Sequence, residues 1–240
     1  LLTYFIADLH LTQKRSDITE CFLSFIEEQA PIADRLYILG DFFEYWIGDD
    51  DDNPYVLNIA AKLKQLSEKG TEIFFIVGNR DFLIGERFAA NCGMTLLPDS
   101  KVIDLYGQRA LIMHGDTLCT NDIEYQKFRK KSRSWWWQFI IKSLPLKTRR
   151  KMAQNYRQKA DSGEKMQAKE IMDVSQSEVE AQMREHDIDL LIHGHTHRPN
   201  VHRFELDGKP ATRIVLGDWY EQGAWLKYSE QGFELLNKPL

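Results

Sequence analysis

Short apolar runs alternate with amphipathic stretches over most of the chain. Tyr4–Ala7, Leu36–Leu39, Ile73–Val77, Leu111–Met113 and Leu190–Ile192 are brief and rich in β-branched and aromatic side chains. Each is followed at once by Gly, Asp, Asn or His. Such runs predict buried strands. Between them, Ile18–Glu28, Pro54–Lys69 and Ser175–His186 carry apolar residues at helical spacing. Further strands are predicted at Thr212–Leu216, Ala224–Tyr228 and Phe233–Leu236, punctuated by Gly217, Gly223 and Gly232. Buried strands alternating with helices predict a layered α/β fold, with sheets flanked by helices.

The stretch from Asn121 to Met172 breaks this alternation. It reads as helical throughout, divided by Pro145, which cannot sit inside a helix without breaking it. Its first half contains Trp135-Trp136-Trp137-Gln138-Phe139-Ile140-Ile141. On a helix that run points in several directions, so a single core cannot easily cover it. Residues 121–172 are therefore expected to form a helical insertion, or cap, within one domain spanning 1–240. The alternative for the tryptophans is a core or oligomer interface.

Charge sharpens this division. Tyr125 to Ala160 holds 12 Lys and Arg and no Asp or Glu, leaving 19 basic against 36 acidic residues elsewhere. A basic segment of this kind fits an anionic partner, whether phosphate, nucleic acid or a membrane surface, or else a solvated helix face. With 240 residues, 43% of them hydrophobic, the chain has ample material for a large core. No apolar run approaches the roughly 18 residues that a membrane span needs. The first residues read as a strand, without a basic segment or cleavable signal. The three cysteines, Cys21, Cys92 and Cys119, fit no metal-binding spacing and are expected as free thiols in a reducing cytoplasm. A nucleophilic role for Cys119 is not expected.

The chemistry lies at the strand ends. The first predicted strand ends in Asp8-Leu9-His10 and the second in Gly40-Asp41. The third ends in Gly78-Asn79-Arg80-Asp81, the fourth in His114-Gly115-Asp116 and the fifth in His193-Gly194-His195-Thr196-His197. Open α/β folds build their sites where strands deliver their carboxyl ends, so these groups should converge on one cleft. Imidazoles, carboxylates and an amide form a mixed N/O donor set that suits manganese, iron, cobalt or zinc. The absence of thiolates argues against a structural zinc site. A lone Asp-x-His or Gly-Asp carries little information. Two imidazoles on alternate residues after an apolar strand have few structural uses, and the five signatures in this order carry far more than any one of them.

In order and spacing, Asp8-Leu9-His10, Gly40-Asp41, Gly78-Asn79-Arg80-Asp81, His114-Gly115 and Gly194-His195-Thr196-His197 resemble the calcineurin-like metallophosphoesterases. Arg80 stands where that family usually has a histidine. It cannot donate a proton at neutral pH but can clamp phosphate oxygens through its guanidinium fork. Ala7–Leu11, Tyr37–Asp41, Phe43–Asp50, Gly78–Leu83, His114–Cys119, Ile171–Val174 and Leu191–Pro199 narrow the resemblance. They point to the branch that acts on UDP-2,3-diacylglucosamine in lipid A synthesis.

That resemblance implies hydrolysis to UMP and 2,3-diacylglucosamine 1-phosphate by a hydroxide held between two manganese ions and attacking the α-phosphorus. It also implies a peripheral location on the cytoplasmic face of the bacterial inner membrane. One ion would be held by Asp8, His10, Asp41 and His197, and the other by Asp41, Asn79, His114 and His195. Catalytic roles fall to Asp41, Asn79, Arg80, His114 and His195. Substrate contacts fall to Asn79, Arg80, Asp122 and His195, with Tyr125 and Arg157 as weaker candidates. Contacts made elsewhere in that branch near Ala160, Glu164 and Gln167 do not carry over, because the residue types differ. Asp116 is expected to orient a ligand imidazole, and the acidic run Asp49–Asp52 is expected to be a solvated loop. The lipid substrate and the membrane surface are the expected partners, with no nucleic acid and no obligate protein partner.

Overall fold

The computed structural model describes residues 1–161 and 173–240, leaving out the side chains of residues 156–161. Among the described residues eleven strands form two sheets. The first contains β1 (Leu2–Ile6), β2 (Arg35–Leu39), β3 (Glu72–Ile76), β4 (Met94–Leu96), β10 (Gln222–Ser229) and β11 (Gly232–Pro239), in the order β11-β10-β1-β2-β3-β4. The second contains β5 (Ser100–Leu105), β6 (Gln108–Met113), β7 (Leu190–His193), β8 (Asn200–Leu206) and β9 (Lys209–Val215), in the order β5-β6-β7-β9-β8. Strands β1 to β4 run parallel to one another, as do β6, β7 and β9.

Alternation within each apolar run decides which layer a side chain enters. Phe5, Tyr37, Leu39 and Ile76 of the first sheet pack against Ala110, Ile112, Ile192 and Ile214 of the second, forming the core between the sheets. The intervening positions Tyr4, Ile6, Leu36, Ile38 and Phe75 face the other way. They pack on α1 (Ser16–Ser24), α2 (Pro54–Glu68) and α3 (Glu86–Cys92) through Phe22, Ile59, Leu63 and Phe88. On the second sheet, Leu111, Met113 and Leu191 meet Val179 and Met183 of α7 (Gln176–Glu185). The architecture is helix, sheet, sheet, helix. Every central strand is covered on both faces, which is why its sequence reads as a continuous apolar run.

The predicted strands are present within a few residues of their expected limits. The helix α3 and the edge strands β4, β5 and β8 were not anticipated. Two of these edge strands belong to tight hairpins whose turn residues, Tyr106-Gly107 and Asp207-Gly208, all have positive φ. That is the geometry of a two-residue turn matching strand twist.

Between β6 and α7 the chain forms α4 (Ile123–Ser132), α5 (Trp135–Ser143) and α6 (Leu146–Asp161). Pro145 immediately precedes α6, where its missing N–H costs nothing. The tryptophan run divides between two faces. Trp137 and Ile141 turn inward onto the main core, with Trp137 6.0 Å from the Phe82 ring. Trp135 is 79% exposed and Phe139 69%, and Trp136 and Ile140 are also exposed.

Candidate metal centre

The carboxyl ends of β1, β2, β3, β6 and β7 deliver Asp8, His10, Asp41, Asn79, His114, His195 and His197 to one place. The backbone pays for this convergence locally. Asp8, His10, Asp41, His195 and His197 all have φ between 50° and 72°. The left-handed region costs a residue with a Cβ about 1–2 kcal/mol, though Asp and His tolerate it better than most. Close approach does the rest. A Cβ on Gly78 would lie 2.2 Å from both the Asp41 nitrogen and its Oδ1, and one on Gly194 would lie 2.4 Å from Asp8 Oδ2. Asp81, fully buried, accepts from the Gly78 and Phe42 amides at 2.7 Å, stapling the β3 turn to the β2 turn.

Two overlapping groups result. His10 Nε2 lies 3.3 Å from His197 Nε2 and 3.9 Å from Asp41 Oδ2, and His197 Nε2 lies 3.5 Å from Asp8 Oδ1. On the other side, His114 Nε2 lies 2.9 Å from Asn79 Oδ1, 3.2 Å from His195 Nδ1 and 3.7 Å from Asp41 Oδ1. Asp8, His10 and His197, and separately Asp8, Asp41 and His114, present donor atoms within 4.8 Å of one another.

The donor chemistry fits divalent cations. Asp8 Oδ1 is buried without a hydrogen-bond partner. His114 Nδ1 lies 2.8 Å from the Leu39 carbonyl and donates to it. In a neutral ring Nε2 would then direct its lone pair at Asn79 Oδ1, 2.9 Å away, an arrangement that a cation bound by both atoms satisfies. Burial pushes the Asp41 carboxyl up to about 7, with nearby Asp81 and Asp8 adding to the rise and His114 opposing it. Burial likewise holds the His10 and His195 imidazoles down near 3 and 4, in the neutral form that ligates metal. For His114 burial also favours the neutral ring, but Asp41, Asp8 and Asp116 outweigh it and raise the pKa.

Three supporting residues went unrecognised in the sequence. Asp218 Oδ2 lies 3.4 Å from His197 Nδ1. The Tyr220 ring stacks on His10 at 5.1 Å, nearly parallel. Glu44, almost fully buried, approaches His10 Nδ1. A carboxylate behind a metal-binding imidazole is a recurrent device. Asp218 and Tyr220 follow β9 with no local signature, so only the three-dimensional arrangement reveals them.

One expectation is corrected and another refined. Asp116 makes no hydrogen bond to an imidazole among the described residues. It accepts from Tyr125 Oη at 2.5 Å and Arg129 Nε at 2.7 Å, both on α4. These partners and nearby His114 outweigh burial and hold its carboxyl well below the usual range. The acidic run is a loop with Asp50 and Asp52 exposed, but it is also engaged by partners elsewhere in the chain. Arg149, 4% exposed, forks onto Asp50 and donates to the Ile47 carbonyl. Arg150 reaches Asp51 and Asp52. Asp49 accepts from the Gly85 and Phe88 amides, capping α3. Together with the Arg129 and Arg133 pairs to Asp99, much of the basic segment is directed at acids of the body.

The remaining sequence candidates are distributed around the centre. The Arg80 amide donates to Asp41 Oδ1 at 2.8 Å, and its carbonyl accepts from the Trp46 amide. Asp122 caps α4 by accepting from the Tyr125 amide. The Tyr125 ring lies 6.3 Å from that of His195. The side chain of Arg157, and the neighbourhood of Ala160, Glu164 and Gln167, lie outside the described residues. A cleft of about 240 Å³ opens beside the centre, lined by Glu44, Asn79, Arg80 and Arg149 and by apolar side chains that include Phe82, Leu83, Phe128, Trp137, Ile141 and Met152. All three cysteines are buried and form no disulfide, and burial pushes the Cys119 thiol up to about 12.

The sequence profile of the calcineurin-like phosphoesterases matches residues 1–199. A UDP-2,3-diacylglucosamine hydrolase of Vibrio parahaemolyticus serotype O3:K6 is 51% identical over 239 residues, covering 100% of this chain and 99% of that one. A protein of the same name from Vibrio vulnificus is 48% identical, covering 100% and 98%. One from Escherichia coli O7:K1 is 49% identical, covering 100% of both chains. The chain belongs to the calcineurin-like phosphoesterase family, in the group that contains these hydrolases.

Proposed function

We propose that this protein hydrolyses the diphosphate of UDP-2,3-diacylglucosamine to UMP and 2,3-diacylglucosamine 1-phosphate, a step of lipid A synthesis. Relatives matched over 99–100% of their length are named UDP-2,3-diacylglucosamine hydrolase. The observation that carries the reading is the cleft itself, whose lining joins Asn79 and Arg80 to a largely apolar set that includes Phe82, Leu83, Phe128, Trp137 and Ile141. A molecule that is anionic at one point and doubly acylated beyond it matches such a lining.

In this reading Asp8, His10, Asp41 and His197 hold one manganese(II) ion, and Asp41, Asn79, His114 and His195 hold a second. When bound, such a pair supplies a water of lowered pKa as nucleophile and neutralises charge on the phosphorus. Asp41 is common to both sets, and its position is fixed by the Arg80 amide. Arg80 binds phosphate oxygens with its guanidinium, and its backbone is held at both ends so that the side chain starts from a defined position. Asn79, His195, Asp122 and Tyr125 line the approach, with Arg157 as a further candidate. Within the 121–172 insertion, whose residues 162–172 lie outside the described ones, α4 and α5 act as a cap whose inner face, Phe128, Trp137 and Ile141, excludes water around the acyl chains.

The outer face of α5 fits a peripheral site on the cytoplasmic leaflet of the inner membrane. Trp135, Trp136, Phe139 and Ile140 are exposed there, and Lys130, Lys131, Lys142, Lys147 and Lys151 are also exposed on α4 to α6. Each lysine near an anionic surface contributes about 1 kcal/mol. Among the described residues no helix is long and apolar enough to cross a membrane.

Incubation with manganese and UDP-2,3-diacylglucosamine in ¹⁸O-water tests the reaction. The proposal expects UMP carrying the label, because water attacks the α-phosphorus. Label in the lipid phosphate would move the attack to the β-phosphorus. No UMP at all, with turnover of short oligonucleotides instead, would overturn the substrate.

A further inference from the structure

We infer that Glu44 is a positioning residue that serves both halves of the candidate site, steadying the His10 imidazole through one carboxyl oxygen and the Arg80 guanidinium through the other. The inference rests on the proposed function for the Arg80 half and on the metal centre alone for the His10 half.

The placement of Glu44 is fixed by backbone on both sides. Its amide donates to the Leu11 carbonyl at 3.2 Å, and Leu11 and Phe43 form an isolated bridge, tying this loop to the chain just beyond His10. Two residues later the Trp46 amide donates to the Arg80 carbonyl at 3.1 Å. The loop is therefore strung between the two residues that its carboxyl group addresses. Trp46 and Phe43 pack on Phe88, so the loop sits on a firm apolar base.

The side chain divides in the same way. Glu44 Oε2 lies 3.6 Å from His10 Nδ1, and Oε1 lies 3.9 Å from Arg80 Nη1. The carboxyl is 5% exposed, as against 28% for the Arg80 side chain. A buried carboxyl of this kind is costly without cationic or donor partners. His10 Nδ1 is itself buried with no partner inside hydrogen-bonding distance, and Glu44 Oε2 is only slightly beyond that distance.

The other ring nitrogen of His10 faces the cluster, 3.3 Å from His197 Nε2. A proton on Nδ1 directed at Glu44 leaves the Nε2 lone pair for the ion. The Tyr220 ring lies parallel to the imidazole and limits its tilt, but stacking does not fix rotation within the ring plane. Only a group at Nδ1 does that. The other two imidazoles with a resolved outer partner follow the same plan: His114 Nδ1 on the Leu39 carbonyl and His197 Nδ1 near Asp218. What sets Glu44 apart is its second oxygen. It couples the orientation of a metal-binding ring to that of a guanidinium that lines the adjoining cleft.

Two variants separate these roles. Glutamine keeps one acceptor, which can serve His10, but presents an amide N–H₂ to Arg80, a donor facing donors. Alanine keeps neither. Metal-stripped protein titrated with manganese(II) in a calorimeter reads the His10 half without substrate. Steady-state kinetics on UDP-2,3-diacylglucosamine reads the Arg80 half.

For Glu44→Gln the expected outcome is manganese affinity within about threefold of wild type and a KM raised about tenfold with little change in kcat. For Glu44→Ala one of the two ion equivalents should weaken about 10–100-fold, the range for removing the partner behind a ligand, while the other stays unchanged. Wild-type isotherms for Glu44→Ala, or an unaltered KM for Glu44→Gln, would overturn the inference. Should Glu44→Ala not fold, the Glu44→Gln split decides on its own. If wild-type protein does not turn over this substrate, the proposed function fails, yet the isotherms still test the His10 half.

Discussion

Replacing Arg149 by methionine should release α6 from the body of the protein. The substitution keeps an apolar stem of similar length, so it deletes the guanidinium and little else. Four hydrogen bonds are lost: one to the Ile47 carbonyl at 2.5 Å, one to the Leu144 carbonyl at 2.8 Å, and the fork onto both Asp50 oxygens. Breaking a fully buried ion pair costs about 3–5 kcal/mol. Arg149 is buried, but the Asp50 side chain is 47% exposed and regains water once its partner is gone. The Ile47 and Leu144 carbonyls are left to find water. We therefore expect about 2–3 kcal/mol, at or below the lower end of that range, against docking of the helix. At 1.4 kcal/mol per factor of ten, the undocked population rises about 30–150-fold. Because opening is local, the loss should appear as faster amide exchange over α6 and the adjoining end of α5, and not in β1, β2 or β7. Limited proteolysis at Lys147 and Lys151 should accelerate in parallel. Unchanged exchange across Leu146–Asn155 in the variant would refute the clasp, as would a uniform loss of protection throughout the chain.

Other outcomes follow from the same geometry. Asp41→Ala should abolish turnover, and near wild-type rates at saturating manganese would contradict a ligand common to both ions. Trp135→Ser with Phe139→Ser should weaken sedimentation with anionic vesicles at an unchanged melting temperature, since both side chains are exposed. By contrast, Trp137→Ala should raise KM for acylated substrate more than for a deacylated analogue. The Arg149 hydrogen bond holds the Asp50 carboxyl below its ordinary value, so the clasp contributes stability above the unfolded pKa near 4 and loses it as pH falls further. Exchange over α6 should rise in acid for wild type, after correction for intrinsic rates, and be nearly independent of this step in Arg149→Met. Cys119, buried and with its thiol near 12, should not react with thiol reagents at pH 8 until the protein unfolds.

The central strands were legible because burial on both faces leaves unbroken apolar runs, and because each run stops at a polar residue that the site uses. The seven converging side chains were legible for the same reason: they are the residues at which those runs end. Edge elements were harder. Strands β5 and β8 are half-exposed and polar, so their alternation is diluted, although the Asp207-Gly208 turn was a usable signal. Contacts between segments distant in sequence were not legible. Nothing local to Asp50 announces Arg149, and nothing near Asp116 distinguishes a partner on α4 from an imidazole. The basic segment shows how charge counting fails here: the imbalance is real, but Arg129, Arg133, Arg149 and Arg150 face acids of the body. Among the described residues of the segment the lysines are exposed, as are Trp135, Trp136, Phe139 and Ile140. Asp218 and Tyr220 lay in an unremarkable loop and became visible through His197 and His10.

The claim beneath all of this is that the ends of five strands form a cradle for two cations. Crystals grown with manganese, measured on both sides of the manganese absorption edge, test it directly. The account predicts two anomalous peaks about 3.5–4 Å apart, one among Asp8, His10, Asp41 and His197 and the other among Asp41, Asn79, His114 and His195. A single peak, or density for manganese only at sites remote from Asp41, would contradict it.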